Sequence, residues 1–342
     1  MLMQTAQGCA PDGLPFQLFT LTNTKGMTIQ VMDWGATWMS CKVPVQQVLR
    51  EVLLGCRVED YPSQQAYLGV TVGRYANRIA QGQFVLNGKT IQLDLNHGRH
   101  QLHGGTTGFN GKRWRVAQCG DNFVRFTLFS VDGDQGFQGN LNVTLTYTLT
   151  EENCVEVRFD AETDQDGPLN LTNHAYFNLN DADYGADIRT HYLQLNADYY
   201  LPVDAEGIPN GPLKSVQQTS FDFRRMKKIG QDFLQDEQVL VKGYDHAFLL
   251  NEDKTQTSAI LTASDGSLSL HVSTSQPALQ VYTGNFLAGT PTRLASVYAD
   301  YAGVALETQA LPDTPNHPEW WKFGGMSRAY EKYQHWTQFK FL

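Results

Sequence analysis

Residues 141–149 read LNVTLTYTL, and every second side chain is apolar: Leu141, Val143, Leu145, Tyr147 and Leu149, with Asn or Thr between them. A period of two belongs to an extended chain with one buried face, because successive side chains of a strand point to opposite sides. The pattern recurs at Val155, Val157 and Phe159, which alternate with Glu156 and Arg158. Asn87-Gly88, between FVL and KTI, has the positive-φ residues of a tight hairpin turn, and Asp265-Gly266 repeats the signal between AILTAS and SLSLHV. Turn residues continue at Asp132-Gly133-Asp134, Asp166-Gly167-Pro168, Pro209-Asn210-Gly211 and Leu311-Pro312-Asp313. One window has a helical period: Met226, Ile229 and Phe233 predict a helix over 224–239. Many strands and few helices predict an all-β fold, a sandwich or a barrel. No Pro- or Ser-rich linker interrupts the chain, so residues 1–342 are expected to form a single domain.

Composition narrows the partners. The chain carries 26 Lys and Arg against 35 Asp and Glu, a net charge of −9. That balance argues against nucleic acid and against anionic membrane surfaces, and leaves a neutral small molecule open. No window approaches the ~18 apolar residues of a spanning helix. The five cysteines, Cys9, Cys41, Cys56, Cys119 and Cys154, are odd in number and form no C-x-x-C pair. Such usage fits reduced thiols better than a disulfide framework or a zinc site. The opening residues MLMQTAQGCAPDGLPF lack a charged n-region followed by an apolar stretch, and the expected location is the cytoplasm.

The most informative stretch is LNLTNHAYFNL, 169–179. Taken as one strand, it puts Asn170, Thr172, His174, Tyr176 and Asn178 on a face where every side chain can hydrogen-bond. A solvated sheet face is the ordinary reading of such a strand. Solvated faces, however, are rich in Lys and Glu, and this one has none and adds an aromatic ring. Amides, a hydroxyl, an imidazole and a phenol together suit a polyhydroxylated ligand. ALQVYTGNF (278–286) places Gln280 and Tyr282 opposite Leu279 and Val281; YDHAFLL (244–250) sets Asp245 before an apolar strand. In GVALETQ (303–309), Glu307 points away from the Val304/Leu306 face, where a lone Glu is ordinarily exposed. Arg74 and Arg78 lie in LGVTVGRYANRIA, and an arginine there ordinarily pairs with a structural carboxylate. His97, His100 and His103 in HGRHQLHGG match no usual zinc spacing, so no metal is expected; a histidine beside Gly104-Gly105 is better placed to touch a ligand. No G-x-G-x-x-G, P-loop or G-x-S-x-G is present, which leaves acid–base chemistry on a bound sugar open.

Together these segments resemble the aldose 1-epimerases, or galactose mutarotases. The matching pieces are GRYANRI, LHGG followed by GF and W, NLTNHAYFNL, LPVD-x-x-GIP, YDHAFLL, QVYTGNF and ALETQALPDTPNHPEW, in that order over most of the chain. Many bacterial relatives carry a Pro-Gly-Glu turn before the last strand, where this chain reads GGMSRAYEKYQHWTQF. The resemblance implies a large antiparallel β-sandwich. It implies His174 as general acid and Glu307 as general base. Arg78, with Asn77 beside it, would bind sugar hydroxyls, and His103, Tyr176, Asp245 and Gln280 would supply the remaining sugar contacts. It implies no cofactor, a free aldose such as galactose or glucose as the partner, and a monomer or homodimer. Anomer exchange needs a base on the O1 hydroxyl and an acid at the ring oxygen O5, held on opposite sides of C1. Two other readings use similar residues: a hexose-6-phosphate 1-epimerase, which would want a basic cluster, and a non-catalytic carbohydrate-binding protein, which gains little from an acid–base pair.

Overall fold

The computed structural model describes residues 1–253 and 257–342. Three large antiparallel sheets dominate it. A five-stranded meander runs through Leu2–Gln7, Phe16–Thr22, Thr28–Met32, Thr37–Val45 and Val48–Glu51. A nine-stranded sheet is ordered Arg115–Gly120, Phe123–Ser130, Leu141–Leu149, Cys154–Thr163, Tyr333–Phe341, Ser269–Thr274, Ala259–Thr262, Tyr192–Leu195 and Lys227–Lys228. A six-stranded sheet is ordered Tyr176–Phe177, Val304–Gln309, Ala278–Tyr282, Asp245–Leu250, Ala197–Tyr200 and Lys214–Ser215. Among the described residues the helical segments are short 3-10 turns, and none is long and apolar enough to cross a membrane.

The period-two reading holds where the strand has one buried face. Leu141–Leu149 alternates strictly between buried and accessible side chains. The hairpin at Asn87-Gly88 joins Gln83–Leu86 to Lys89–Gln92, with φ of 51° and 75° at the two turn residues. The last strand, Tyr333–Phe341, is inserted between Cys154–Thr163 and Ser269–Thr274 and closes the middle of the large sheet. One apolar cluster joins all three sheets through Phe19, Trp38, Val143, Phe248, Leu306 and Phe339. Trp38 is fully buried, with ring contacts to Phe177 at 6.0 Å and Phe339 at 5.4 Å, and its indole N–H donates to the Ser40 carbonyl. Trp38→Ala leaves a large cavity and removes the bond to the Ser40 carbonyl, and is expected to lower stability by about 3–5 kcal/mol, read as a shift in the urea midpoint at constant slope.

Two expectations are corrected. Residues 224–239 form no α-helix: Lys227–Lys228 pairs as a strand, Asp236–Leu240 is a 3-10 turn, and Leu234 and Asp236 take φ of 58° and 49°, outside any right-handed helix. The apolar spacing that suggested a helix instead drops Ile229 into the core from an irregular segment. The 169–179 stretch is also not one strand. It breaks into Thr172–Asn173, paired with Thr71–Val72, and Tyr176–Phe177, paired with Val304–Ala305. His174 stands at the break, where the chain passes from one sheet to the other.

Candidate active site

Breaking the strand buries its polar face, and buried polar groups must find partners. Asn170 Nδ2 donates to the Ala76 carbonyl while its Oδ1 accepts from Ala310 N–H. Asn178 Nδ2 donates to the carbonyls of Ala186 and Ala302. Asn173, on the opposite face of the stretch, donates to the Gly69 carbonyl and the Tyr147 hydroxyl. These asparagines brace the fold. His174 and Tyr176 are the members of the stretch that face a cavity of about 500 Å³.

Seven of the eight expected site residues line that cavity: Asn77, Arg78, His103, His174, Tyr176, Asp245 and Glu307. They come from segments up to 230 residues apart in sequence, since 307 − 77 = 230. Gln280, the eighth, stands behind the wall: its Nε2 donates to Asp245 Oδ1 at 2.6 Å, so it orients the carboxylate. Arg78 Nη1 approaches the other oxygen of Asp245 at 3.6 Å. Arg74, by contrast, spends its guanidinium on Ser130 Oγ and the carbonyls of Ser130, Val131, Gln138 and Gly139, a structural role.

His174 and Glu307 meet. Nε2 lies 3.5 Å from Oε1, and both side chains are almost fully buried. Glu307 is carried by the Val304–Gln309 strand, directly opposite Gln280 on the neighbouring strand. Burial disfavours charge on either group. It pushes the Glu307 carboxyl well above the usual carboxylate range; the Asp245 charge adds to this and Arg78 opposes it. Burial also pushes His174 down to about 4, against the pull of its own carbonyl and of Asp245. Both shifts favour the uncharged forms, so a single proton shared by the pair is drawn toward Glu307.

His103 and Tyr67 frame the imidazole. His103 is held well below its ordinary pKa by burial and by the nearby His174, and is neutral. Its Nδ1 accepts from Asn77 N–H at 3.2 Å, so the remaining hydrogen sits on Nε2. One donor atom from each of His103, His174 and Glu307 lies within 4.8 Å of the others, a set of the kind that can hold a cation. Coordination through Nε2 of His103 would break the tautomer that the Asn77 bond fixes, so the set fits hydrogen bonding better than ligation. The Tyr67 ring lies 4.6 Å from His103 and stacks at 5.9 Å on His174, and Tyr282 makes an edge contact with His174 at 6.5 Å.

The walls depend on unusual backbone. Tyr67, Asn77 and His103 have φ of 57°, 68° and 52°. Asn takes this conformation readily; Tyr and His do so only where the surroundings enforce it. Gly104 explains the LHGG motif: a Cβ there would lie 2.0 Å from the Gly73 carbonyl oxygen. His97 also lines the cavity, whereas His100 is buried behind it, with Nδ1 accepting from Gln81 N–H. Sequence reasoning missed Tyr67, which carries no motif, and missed the rim formed by Glu206, Gly207, Leu240 and Phe286.

Antiparallel sheets that deliver a paired imidazole and carboxyl to a pocket of polar side chains define a class: all-β proteins equipped for acid–base work on a small polar ligand. The comparisons with known proteins make this specific. The family model described as aldose 1-epimerase matches residues 17–340, and the chain belongs to that family. An aldose 1-epimerase of Haemophilus influenzae is 61% identical over 341 residues, covering 100% of both chains. A galactose mutarotase of Mus musculus is 40% identical over 321 residues, covering 92% of this chain and 91% of its own. The crystal structure of galactose 1-epimerase from Lactobacillus acidophilus superposes with a TM-score of 0.87 at 31% identity, over 100% of this chain and 98% of that one.

Proposed function

We propose that the chain is an aldose 1-epimerase that interconverts the α and β anomers of free hexoses such as galactose and glucose. The observation that carries this is the 3.5 Å approach of His174 to Glu307 at a cavity lined by Asn77, Arg78, His103, Tyr176 and Asp245. O1 and O5 are bonded to the same carbon, so an acid and a base a hydrogen-bond length apart can each address one of them from one side of the ring. An arrangement on opposite sides of C1, the sequence expectation, is not needed.

In this reading Glu307 takes the O1 proton, the C1–O5 bond breaks, and His174 delivers its proton to O5. The sugar is then an open-chain aldehyde, Glu307 is a carboxylic acid and His174 a neutral imidazole. Those are the forms that burial favours. The cavity is thus biased toward the ring-opened state, and rotation about C1–C2 followed by the reverse transfers gives the other anomer. Arg78 opposes the rise of the Glu307 pKa and so keeps its carboxylate accessible while the ring is closed. His103 Nε2–H and Arg78 donate to sugar hydroxyls, and Asp245, fixed by Gln280, accepts from them.

Polarimetry on freshly dissolved α-galactose and α-glucose tests this directly, as a mutarotation rate proportional to protein concentration at constant buffer. A rate equal to the spontaneous one would leave a sugar-binding protein. The pH profile should be a plateau over which the pair holds one proton. Its acid limb falls where His174 gains a second proton, near pH 4, and its alkaline limb where Glu307 loses the first. A hexose-6-phosphate is disfavoured, because Arg78 is the one Arg or Lys among the described lining residues and it already faces Asp245. The five unpaired thiols support a reducing compartment, the cytoplasm.

A further inference from the structure

The LPVD-x-x-GIP segment has no place in the proton transfers, yet it forms part of the cavity rim. Asp204 folds it into a turn. Its Oδ1 accepts from the N–H groups of Glu206 at 2.9 Å and Ile208 at 3.0 Å, and its own N–H donates to the Ile208 carbonyl. Glu206 ties the turn to the histidine loop through an ion pair with Arg99 and a 3.6 Å approach to His100 Nε2. Anchored at both places, the turn presents Gly207 to Arg78. Gly207 has φ of +75°, and a Cβ there would lie 2.6 Å from Arg78 Cζ, 2.8 Å from Nη1 and 2.9 Å from Nε. The guanidinium therefore lies flush against bare backbone on one side and faces Asp245 on the other. Its Nε is buried and, among the described residues, has no hydrogen-bond partner, so no bond at that atom would keep the head in place.

We infer that Gly207 is a positioning residue: the side-chain-free backbone of the 204–208 turn is the surface that sets Arg78 toward Asp245 and the sugar. This rests on the reading of Arg78 as a sugar-binding group. A Cβ at 207 would meet the head at 2.6 Å, inside van der Waals contact, so the head must move, and a misplacement on the order of 1 Å costs up to about 10²-fold in rate elsewhere.

The test is a double-mutant cycle on purified protein, with mutarotation of galactose as the readout. Gly207→Ala is expected to lower kcat/KM by about 10- to 100-fold, mostly through KM, since the lost contact serves binding. Gly211→Ala is the control for backbone strain: Gly211 has φ of +104° in the same segment, with open space where its Cβ would go, and its activity should stay within twofold of wild type. In an Arg78→Ala background, with enzyme raised until the rate clears the spontaneous one, Gly207→Ala should cost less than twofold more, because the group it displaces is gone. Full multiplication of the two losses, or a Gly207→Ala enzyme within twofold of wild type, would overturn the inference while leaving the Arg78 reading intact. An Arg78→Ala enzyme as active as wild type would overturn both.

Discussion

Glu307→Gln is expected to lower kcat by about 10²–10⁴-fold, the usual worth of a positioned acid or base, while the protein stays folded. The side chains have the same shape, and Gln lacks the lone-pair basicity that removes the O1 proton. Folding should not suffer. Glu307 Oε2 is buried with no hydrogen-bond partner among the described residues, and burial disfavours its charge, so an uncharged amide is no worse placed there. The unfolding midpoint should stay level or rise, as it does where a strained active-site group is replaced. His174→Asn should lose activity to a similar degree, because O5 then leaves as an unprotonated alkoxide. The combination of a lost rate and a retained midpoint, from polarimetry beside thermal unfolding, separates a chemical role from a structural one. A Glu307→Gln enzyme within a few-fold of wild type would remove the base assignment.

Stability should fall steeply as the solution becomes mildly acidic. Burial holds His174, His191 and His246 down to about 4 and His103 well below its ordinary value. In the unfolded chain each takes up a proton near pH ~6.5. Between those values the unfolded state binds four protons that the native state does not. For groups with depressed native pKa of this cationic kind, the stability is present above the unfolded pKa and drains as pH falls below it. Glu307 acts with the opposite sign: its native form keeps a proton that the unfolded carboxyl has released, so its contribution is lost as pH rises. Taken together, these five groups leave the unfolded state with more bound protons than the native state between about pH 5.5 and 4.5, so stability falls as pH falls through that window. Urea unfolding at half-unit steps through that window measures it. A flat stability there would mean the four histidines are not buried as neutral groups.

Legibility in the sequence followed the physics of each segment. Leu141–Leu149 was readable because one face is buried and the other wet, so composition alternates with geometry. The Asn87-Gly88 hairpin was readable because positive φ at two successive positions restricts the residues allowed. Asn170 and Asn178 misled because a fully buried face and a ligand-binding face both select polar side chains; only the tertiary partners, the carbonyls of Ala76, Ala186 and Ala302, distinguish them. The helix expected over 224–239 failed because three apolar residues fit a helical period by spacing alone, while the backbone at Leu234 and Asp236 turns left-handed. Of the site, the chemical groups were legible and their supports were not. Glu307 was recognisable from its peptide, although its burial was not. Gln280 was read as a sugar contact, and its bond to Asp245 could not be seen in the sequence. Tyr67 was invisible, since its role comes from a left-handed backbone that lays the ring on two histidines.

A crystal structure of the protein with galactose bound tests the central claim most directly. The account predicts a single pyranose with His174 about 3 Å from the ring oxygen, Glu307 about 3 Å from O1, and both reaching the ring from the same side. A sugar seated with C1 at the mouth of the cavity, its O1 and O5 out of reach of both side chains, would contradict it.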